Sequence, residues 1–396
     1  EGEIGRLPRL LYLGPFATMA DRFAVAPMLI PIAVSLHVTL AAATGAASLY
    51  YLAYGLMPPL YGFLSDRYGR VRIIRVALAG TAIAGVLSAA APNLSLLLAA
   101  RFITGGIACG VMPTTLVYVG DRVPFAVRQQ AVAGVLVFVA LGTAGGTLAA
   151  GITAHFLSWR IYFLFPALLT AGLAIGLARL PESLTSRSAT APLSQVATIL
   201  RNRWAPFVLI IGLLLGAVMF GFVTYFAPAL EAHGQTAAIA GVVVASYGIS
   251  VLVCTRLFPL VARRVPAFLM VAGGATLLMV GYLLAAAQAS LIAVLAASVL
   301  AGGAYAFMHS TFQTWATDVV PSARGMATAL FATSIFTGAA LATALVSGLA
   351  NAHRFGTLFV IAAIVTVPVL VAGTIGRWHY AGSDVLEEPQ PGSHIG

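Results

Sequence analysis

Three charged side chains fall where hydrocarbon would surround the chain. Asp21 and Arg22 adjoin inside an apolar stretch running from residue 10 to 36, and Arg101 lies seven residues into another. A charge at mid-membrane costs ~2.5 to 3.5 kcal/mol on insertion scales, so such residues face a polar interior and mark ion or substrate paths. Asp21 is the one acid placed within a span, which makes it a candidate proton carrier, and Arg101 could repel that proton or hold an anion. At 1.5 Å per residue the two differ in depth by ~10 Å, so direct pairing requires a tilted helix or a water chain. The competing reading makes Asp21 and Arg22 a structural ion pair at the inner edge of the span and Arg101 a snorkelling side chain. His309 and Gln313, one turn apart and flanked by Tyr305, Phe312 and Trp315, could contact a substrate or a proton, although a membrane histidine also serves packing. Tyr51, Tyr54, Phe220, Tyr225, Phe226 and Tyr247 could line an apolar cavity.

A second set of groups lies in a short loop. Gly62 to Arg70 reads Gly-Phe-Leu-Ser-Asp-Arg-Tyr-Gly-Arg, with Asp66, Arg67, Gly69 and Arg70 inside it and Arg72 and Arg75 beyond. Four arginines so close together cannot lie in hydrocarbon, and loops on the cytoplasmic side accumulate them. Gly62 and Gly69 are expected to permit close helix approach and a tight turn.

These groups are carried by a chain that is 60% hydrophobic and 8% charged with mean hydropathy +0.99. Soluble domains carry about a quarter of their residues as charges, so this is a polytopic membrane protein. The apolar blocks have the length an α-helix needs to cross ~30 Å, roughly twice that of a barrel strand. Spans are expected near 10–36, 42–64, 72–91, 94–118, 129–155, 160–179, 205–230, 236–262, 267–288, 290–317, 324–350 and 354–376. The fold class is all-α: twelve transmembrane helices in two pseudo-symmetric six-helix bundles around a central cavity.

All 21 basic residues are arginines. Seventeen fall on the side of the termini and only Arg160 and Arg354 opposite. This asymmetry places both termini in the cytoplasm, and the expected location is a prokaryotic inner membrane. The net charge of +10 then reflects topology and contact with anionic lipid heads, and nucleic acid is not an expected partner. The first span carries Asp21-Arg22 and no cleavage site follows it, so it reads as retained. Cys109 and Cys254 sit in different halves as small packing residues, and neither a metal nor a cofactor is expected.

The polar stretch 180–203 divides the spans six and six. The expected organisation is a bundle over 1–179, a cytoplasmic linker over 180–203, a second bundle over 204–380 and a disordered tail over 381–396. The halves repeat. Asp121 to Arg128 follows span four and Asp318 to Arg324 follows span ten, while Arg160 pairs with Arg354 and Arg70 with Arg264 at an offset of 194. Such duplication is the architecture of secondary transporters, with a substrate site at mid-membrane between the repeats.

On these residues the chain resembles the major facilitator superfamily. Gly62 to Arg70 fits its signature loop Gly-x-Leu-x-Asp-Arg-x-Gly-Arg between spans two and three, while the counterpart Leu257 to Val265 keeps only Arg263 and Arg264. The resemblance implies that Asp66 docks on the start of span eleven when the transporter opens outward, that Arg70 pairs with Asp121, and that Arg128 belongs to the same gate. It further resembles the drug/proton antiporters, which carry an acid in span one. Arg101-Phe-Ile-Thr-Gly105 fits part of their span-four signature. Gly146 to Gly151 fits part of their span-five signature, with Thr147 in place of a proline. Gly142 and Gly146, four apart, permit close helix packing.

The expected function is proton-coupled export of a hydrophobic or amphipathic small molecule, with Asp21 and Arg101 as the coupling pair. Arg22, Tyr51, Tyr54, Phe220, Tyr225, His309 and Gln313 would form the cavity. Uptake or uniport of a small organic anion held by Arg22 and Arg101, or lipid flipping, are the alternatives. The chain is expected to act as a monomer. A membrane-embedded enzyme lacks support: no His-Glu-x-x-His or Gly-x-Ser-x-Gly occurs, and the absence of lysine excludes a P-loop.

Overall fold

The computed structural model describes residues 10–183 and 192–387. Among the described residues every regular element is helical. Ten helices are long and apolar enough to cross a membrane: Arg70–Ala90, Leu94–Arg122, Phe125–Phe156, Trp159–Arg179, Ala205–Ala232, Ala237–Ala262, Ala267–Ala287, Leu291–Asp318, Pro321–Asn351 and Phe355–Tyr380. Two bent pairs precede them, Leu10–Phe23 with Ala26–Ser35 at 41° and Leu40–Leu56 with Pro58–Tyr68 at 49°. Counting each pair as one gives spans one to twelve.

The first two spans, expected as continuous helices, are thus broken, and proline explains both breaks. Pro27 and the pair Pro58-Pro59 stand at the starts of the second pieces, where a missing N–H costs nothing but continuation from the preceding turn is blocked. Gly69 ends span two with φ 97°, a conformation that only glycine adopts freely, and span three begins at the next residue. At the opposite side Asn93, Ser158, Thr236 and Ser290 accept hydrogen bonds from the first turns of spans four, six, eight and ten.

Span one packs on spans five and six in the first half, and span nine packs on span twelve in the second. The halves meet through span five against span eight and span two against span eleven. Glycine sets these distances. A β-carbon on Gly142 or Gly146 would collide with the span-one backbone at Phe16 or Ala20, and Gly151 and Gly241 touch across the halves.

Within the stretch expected as a linker, Pro192–Arg201 is a helix, and residues 184–191 lie outside the described residues. Span twelve continues to Glu387, through the first residues of the stretch expected as a tail. Residues 388–396 lie outside the described residues.

Candidate functional site

Both arginines inside the bundle are buried, and their surroundings differ. Arg101 on span four grips Asp21 through one nitrogen, Nη1, at 2.8 and 3.0 Å from the two carboxylate oxygens. Its Nη2 donates to the Asp21 carbonyl at 3.4 Å, and the guanidinium lies 4.6 Å from the Tyr50 ring and 4.9 Å from that of Phe163. Neither side chain of the pair is more than 2% exposed. The pairing corrects the expected ~10 Å separation in depth. The 41° bend of span one and the long arginine stem close the gap, and no water chain is required. Neither does Asp21 pair with Arg22, its neighbour in sequence.

Arg22 therefore stands alone. It is 8% exposed, its Nε has no partner, and among the described residues no carboxylate forms an ion pair with it. What surrounds it is aromatic. Its guanidinium lies 4.9 Å from the Phe23 ring, 5.2 Å from those of Tyr54 and Phe336, and 5.5 Å from that of Phe220. Cation–π contacts supply about 0.5 to 2 kcal/mol each, which lets the charge persist without an anion. Phe23 and Tyr54 come from the first half and Phe220 and Phe336 from the second, so the cage straddles the boundary between the repeats.

Two irregular helical turns aim the second half's contribution. Span seven passes through a π-helical turn at Ala217–Gly221, which carries Phe220, and span ten through another at Tyr305–His309. Such turns insert a residue into the helical repeat and recur at functional sites. Phe220 stacks on Phe336 at 5.5 Å and meets Tyr305 at 5.9 Å, and Tyr305 stacks on His309 at 4.7 Å. Tyr247 closes the ring against Phe23 at 5.8 Å, and its buried hydroxyl has no partner. Tyr51 reaches across the halves to Thr224 at 3.3 Å.

Of the residues expected at the cavity, Arg22, Tyr51, Tyr54, Phe220 and His309 fall around this cage. Tyr225 does not: it is fully buried, its hydroxyl donates to the Thr343 carbonyl, and the same hydroxyl lies by the Thr44 side chain of the first half. It lies in the last third of span seven, Ala205–Ala232, toward the far side opposite the termini. Phe226 packs inside the second half against Tyr282 and Phe359. Phe312 and Trp315 likewise point into that half, and Gln313 is half-buried outside the ring contacts. Phe23 and Phe336 were missed in sequence. An aromatic next to a membrane arginine was the available signal for Phe23, whereas span eleven offers none for Phe336.

At the signature loop Arg70 donates to Asp121 at 3.3 Å and to the Ser65 hydroxyl at 2.7 Å, and it also pairs with Asp66 one turn back. Asp66 is 38% exposed and is not on span eleven. A β-carbon at Gly62, or at Gly325 near the start of span eleven, would meet open space, so the close approach expected at Gly62 is absent. Arg70 is the cation with which Asp66 pairs. Arg128 donates to the Val123 carbonyl at 3.2 Å, and Arg67 lies by its neighbour Tyr68. One participant was not anticipated: Glu182 accepts from the backbone of Val71 at 2.8 Å and of Arg72 at 3.0 Å, capping span three.

Among the described residues no cluster could hold a metal. Both cysteines are free.

The Major Facilitator Superfamily model matches residues 11–343. Among solved structures, the nucleoside transporter NupG superposes with a TM-score of 0.74 at 15% identity, covering 93% of this chain and 98% of that one. A bacterial homolog of the human lysosomal transporter Spinster, inward-facing and occupied, gives 0.73 at 18% identity over 97% and 98%. At such identities the likeness shows the fold alone. Sequence relatives match over shorter stretches. A triacylglyceride transporter of Mycolicibacterium hassiacum is 42% identical over 72 residues, 18% of this chain and 14% of its own length. The niacin transporter of Acinetobacter baylyi is 29% identical over 137 residues, 35% of this chain and 31% of its own. The puromycin resistance protein of Streptomyces alboniger is 33% identical over 112 residues, 28% of this chain and 22% of its own. The chain thus matches less than a third of the length of each of these relatives. With the duplicated helical halves, the signature loop and the matched model in agreement, the chain belongs to the Major Facilitator Superfamily of multi-pass membrane transporters.

Proposed function

We propose that the protein works by alternating access and that its central cage takes a small organic anion with an apolar or aromatic body. One observation carries this reading: Arg22 is buried between the halves among four aromatic rings, with no acid to neutralise it. A buried charge without a counter-ion is costly, so a ligand carboxylate is favoured there over a neutral group. The rings then accept the ligand's apolar part, and the unpartnered Tyr247 hydroxyl offers a hydrogen bond. The niacin transporter among the relatives is named for a pyridine carboxylate, which has this chemistry.

Asp21 fits a coupling role less well, since both of its oxygens are held by Arg101 in this conformation. Proton-coupled export of a hydrophobic or amphipathic compound remains the second reading, supported by the apolar cage and by relatives named for puromycin resistance and triacylglyceride transport. The termini face the cytoplasm on the arginine count, and the protein acts as a monomer in the inner membrane.

Liposomes loaded with purified protein separate the readings. Uptake of an aromatic carboxylate such as nicotinate is expected to exceed that of its neutral amide at least ~10-fold, the effect of about 1.4 kcal/mol. Arg22→Gln is expected to abolish this preference and Arg22→Lys to keep part of it. Equal transport of acid and amide by the wild type, or equal preference in Arg22→Gln, overturns the anion reading. Transport that follows an imposed pH gradient in the wild type and not in Asp21→Asn would favour the second reading.

A further inference from the structure

The cage has one charged pole, and it belongs to the first half. Arg22 supplies it, and among the described residues no arginine of the second half lies over Phe23, Tyr54, Phe220, Phe336, Tyr247 or Tyr305. What the second half brings besides Phe220 and Phe336 is polar: Tyr247 on span eight, with Tyr305 and His309 on the π-helical turn of span ten.

Two of these groups have hydrogen-bonding capacity that the protein leaves unused. Tyr247 is 2% exposed, and its hydroxyl is enclosed without a partner. His309 is half-buried and stacks on Tyr305 with the rings 16° from parallel. That contact occupies the imidazole face, whereas its nitrogens lie on the ring edge, and among the described residues they make no hydrogen bond.

Both groups share an enclosure with Arg22. Its charge acts on the hydroxyls of Tyr247 and Tyr305 and on the His309 imidazole alike. Phe23 touches Arg22 at 4.9 Å and Tyr247 at 5.8 Å, and Phe220 touches Arg22 at 5.5 Å and Tyr305 at 5.9 Å. Each phenol is thus one aromatic neighbour away from the cation. Leaving a buried hydroxyl unpaired is costly, and a ligand that pairs with it removes the penalty.

We propose that the transported anion has two poles: it is an aromatic carboxylate whose ring also carries an uncharged hydrogen-bonding group, a hydroxyl or a ring nitrogen. The carboxylate meets Arg22 of the first half, and the second group meets the Tyr247 hydroxyl and the His309 imidazole of the second. This inference rests on the anion reading above and narrows its substrate class. A ligand held at both ends favours the state in which the halves are together, whereas an acid lacking the second group is held by one half alone.

Four compounds with one aromatic ring test it on the full chain in liposomes, with uptake measured above that of protein-free vesicles: 4-hydroxybenzoate, benzoate, terephthalate and 4-hydroxybenzamide. At limiting concentration the wild type is expected to take up 4-hydroxybenzoate at least ~5-fold faster than benzoate, within the roughly 2- to 12-fold that one hydrogen bond supplies. It is also expected to prefer 4-hydroxybenzoate to terephthalate, whose second charge finds no cation. Tyr247→Phe removes only the hydroxyl, and His309→Phe keeps a ring against Tyr305. Each is expected to lower the preference for 4-hydroxybenzoate over benzoate and to keep the preference for 4-hydroxybenzoate over its amide, which reports on Arg22. Equal uptake of 4-hydroxybenzoate and benzoate, a preference unchanged in both variants, or terephthalate as the better substrate overturns the two-pole class and leaves the anion reading standing. Absence of any preference for acid over amide overturns both.

Discussion

Arg22 and Arg101 lie in one bundle, and only Arg101 has an acid. Asp21 could have served either, and the bend of span one turns it away from its sequence neighbour. Breaking a buried pair by removing one partner costs about 3 to 5 kcal/mol, because the other charge is left uncompensated. Asp21→Asn is therefore expected to lower thermal stability in detergent, and Arg101→Met in the same chain is expected to restore most of it. A destabilisation that the double variant does not relieve would mean that Asp21 acts beyond pairing. That charges sit in these spans was legible in sequence, because hydropathy marks them. Which charge meets which was not, because a residue ruler along straight helices errs by several ångströms once a helix bends. Nor does an aromatic residue in a span declare which way it faces, so Tyr225 was expected at the cavity and Phe336 was not.

Span five shows what spacing alone can convey. Gly142 and Gly146 lie on one face and admit span one, while Gly151 meets Gly241 of span eight across the halves. One helix thus joins its own bundle and the opposite one, and its small residues are read directly as four-residue repeats. Gly145, on another face, would carry a β-carbon into open space. Gly146→Val is expected to prevent recovery of folded protein from the membrane, whereas Gly145→Ala is expected to be recovered and to transport as wild type. Comparable size-exclusion profiles for the two would contradict the packing. The π-helical turns in spans seven and ten gave no such signal: one inserted residue leaves composition unchanged, yet it turns Phe220, Tyr305 and His309 toward the cage. Gly62 errs the other way, since its place in a signature loop suggested a contact that this conformation lacks.

Duplication was legible for the whole molecule, because its offsets are written once per chain, and the arginine count gives an expectation of sidedness. The conformation was not, because a transporter adopts more than one state with the same sequence. Contacts decide it here. On the far side Tyr225 joins the Thr343 carbonyl of its own half to Thr44 of the other, and Gly151 packs on Gly241. On the side of the termini Gly62 and Gly325 face open space, and Asp66 turns to Arg70. The far-side contacts join the halves, and on the side of the termini Gly62 and Gly325 have no such neighbour. Each far-side hydrogen bond contributes ~0.5 to 1.5 kcal/mol, so Tyr225→Phe shifts the equilibrium away from this state by roughly 2- to 12-fold. Gly62→Cys reports it: the position is exposed, shares a face with Asp66 and has room for a side chain, so a water-soluble maleimide added from that side should label it quickly. Adding Tyr225→Phe is expected to slow labelling severalfold. Asp66→Asn, which weakens the docking on span eleven proposed for the opposite state, is expected to restore the rate. Labelling indifferent to both changes would show that neither contact holds the gate.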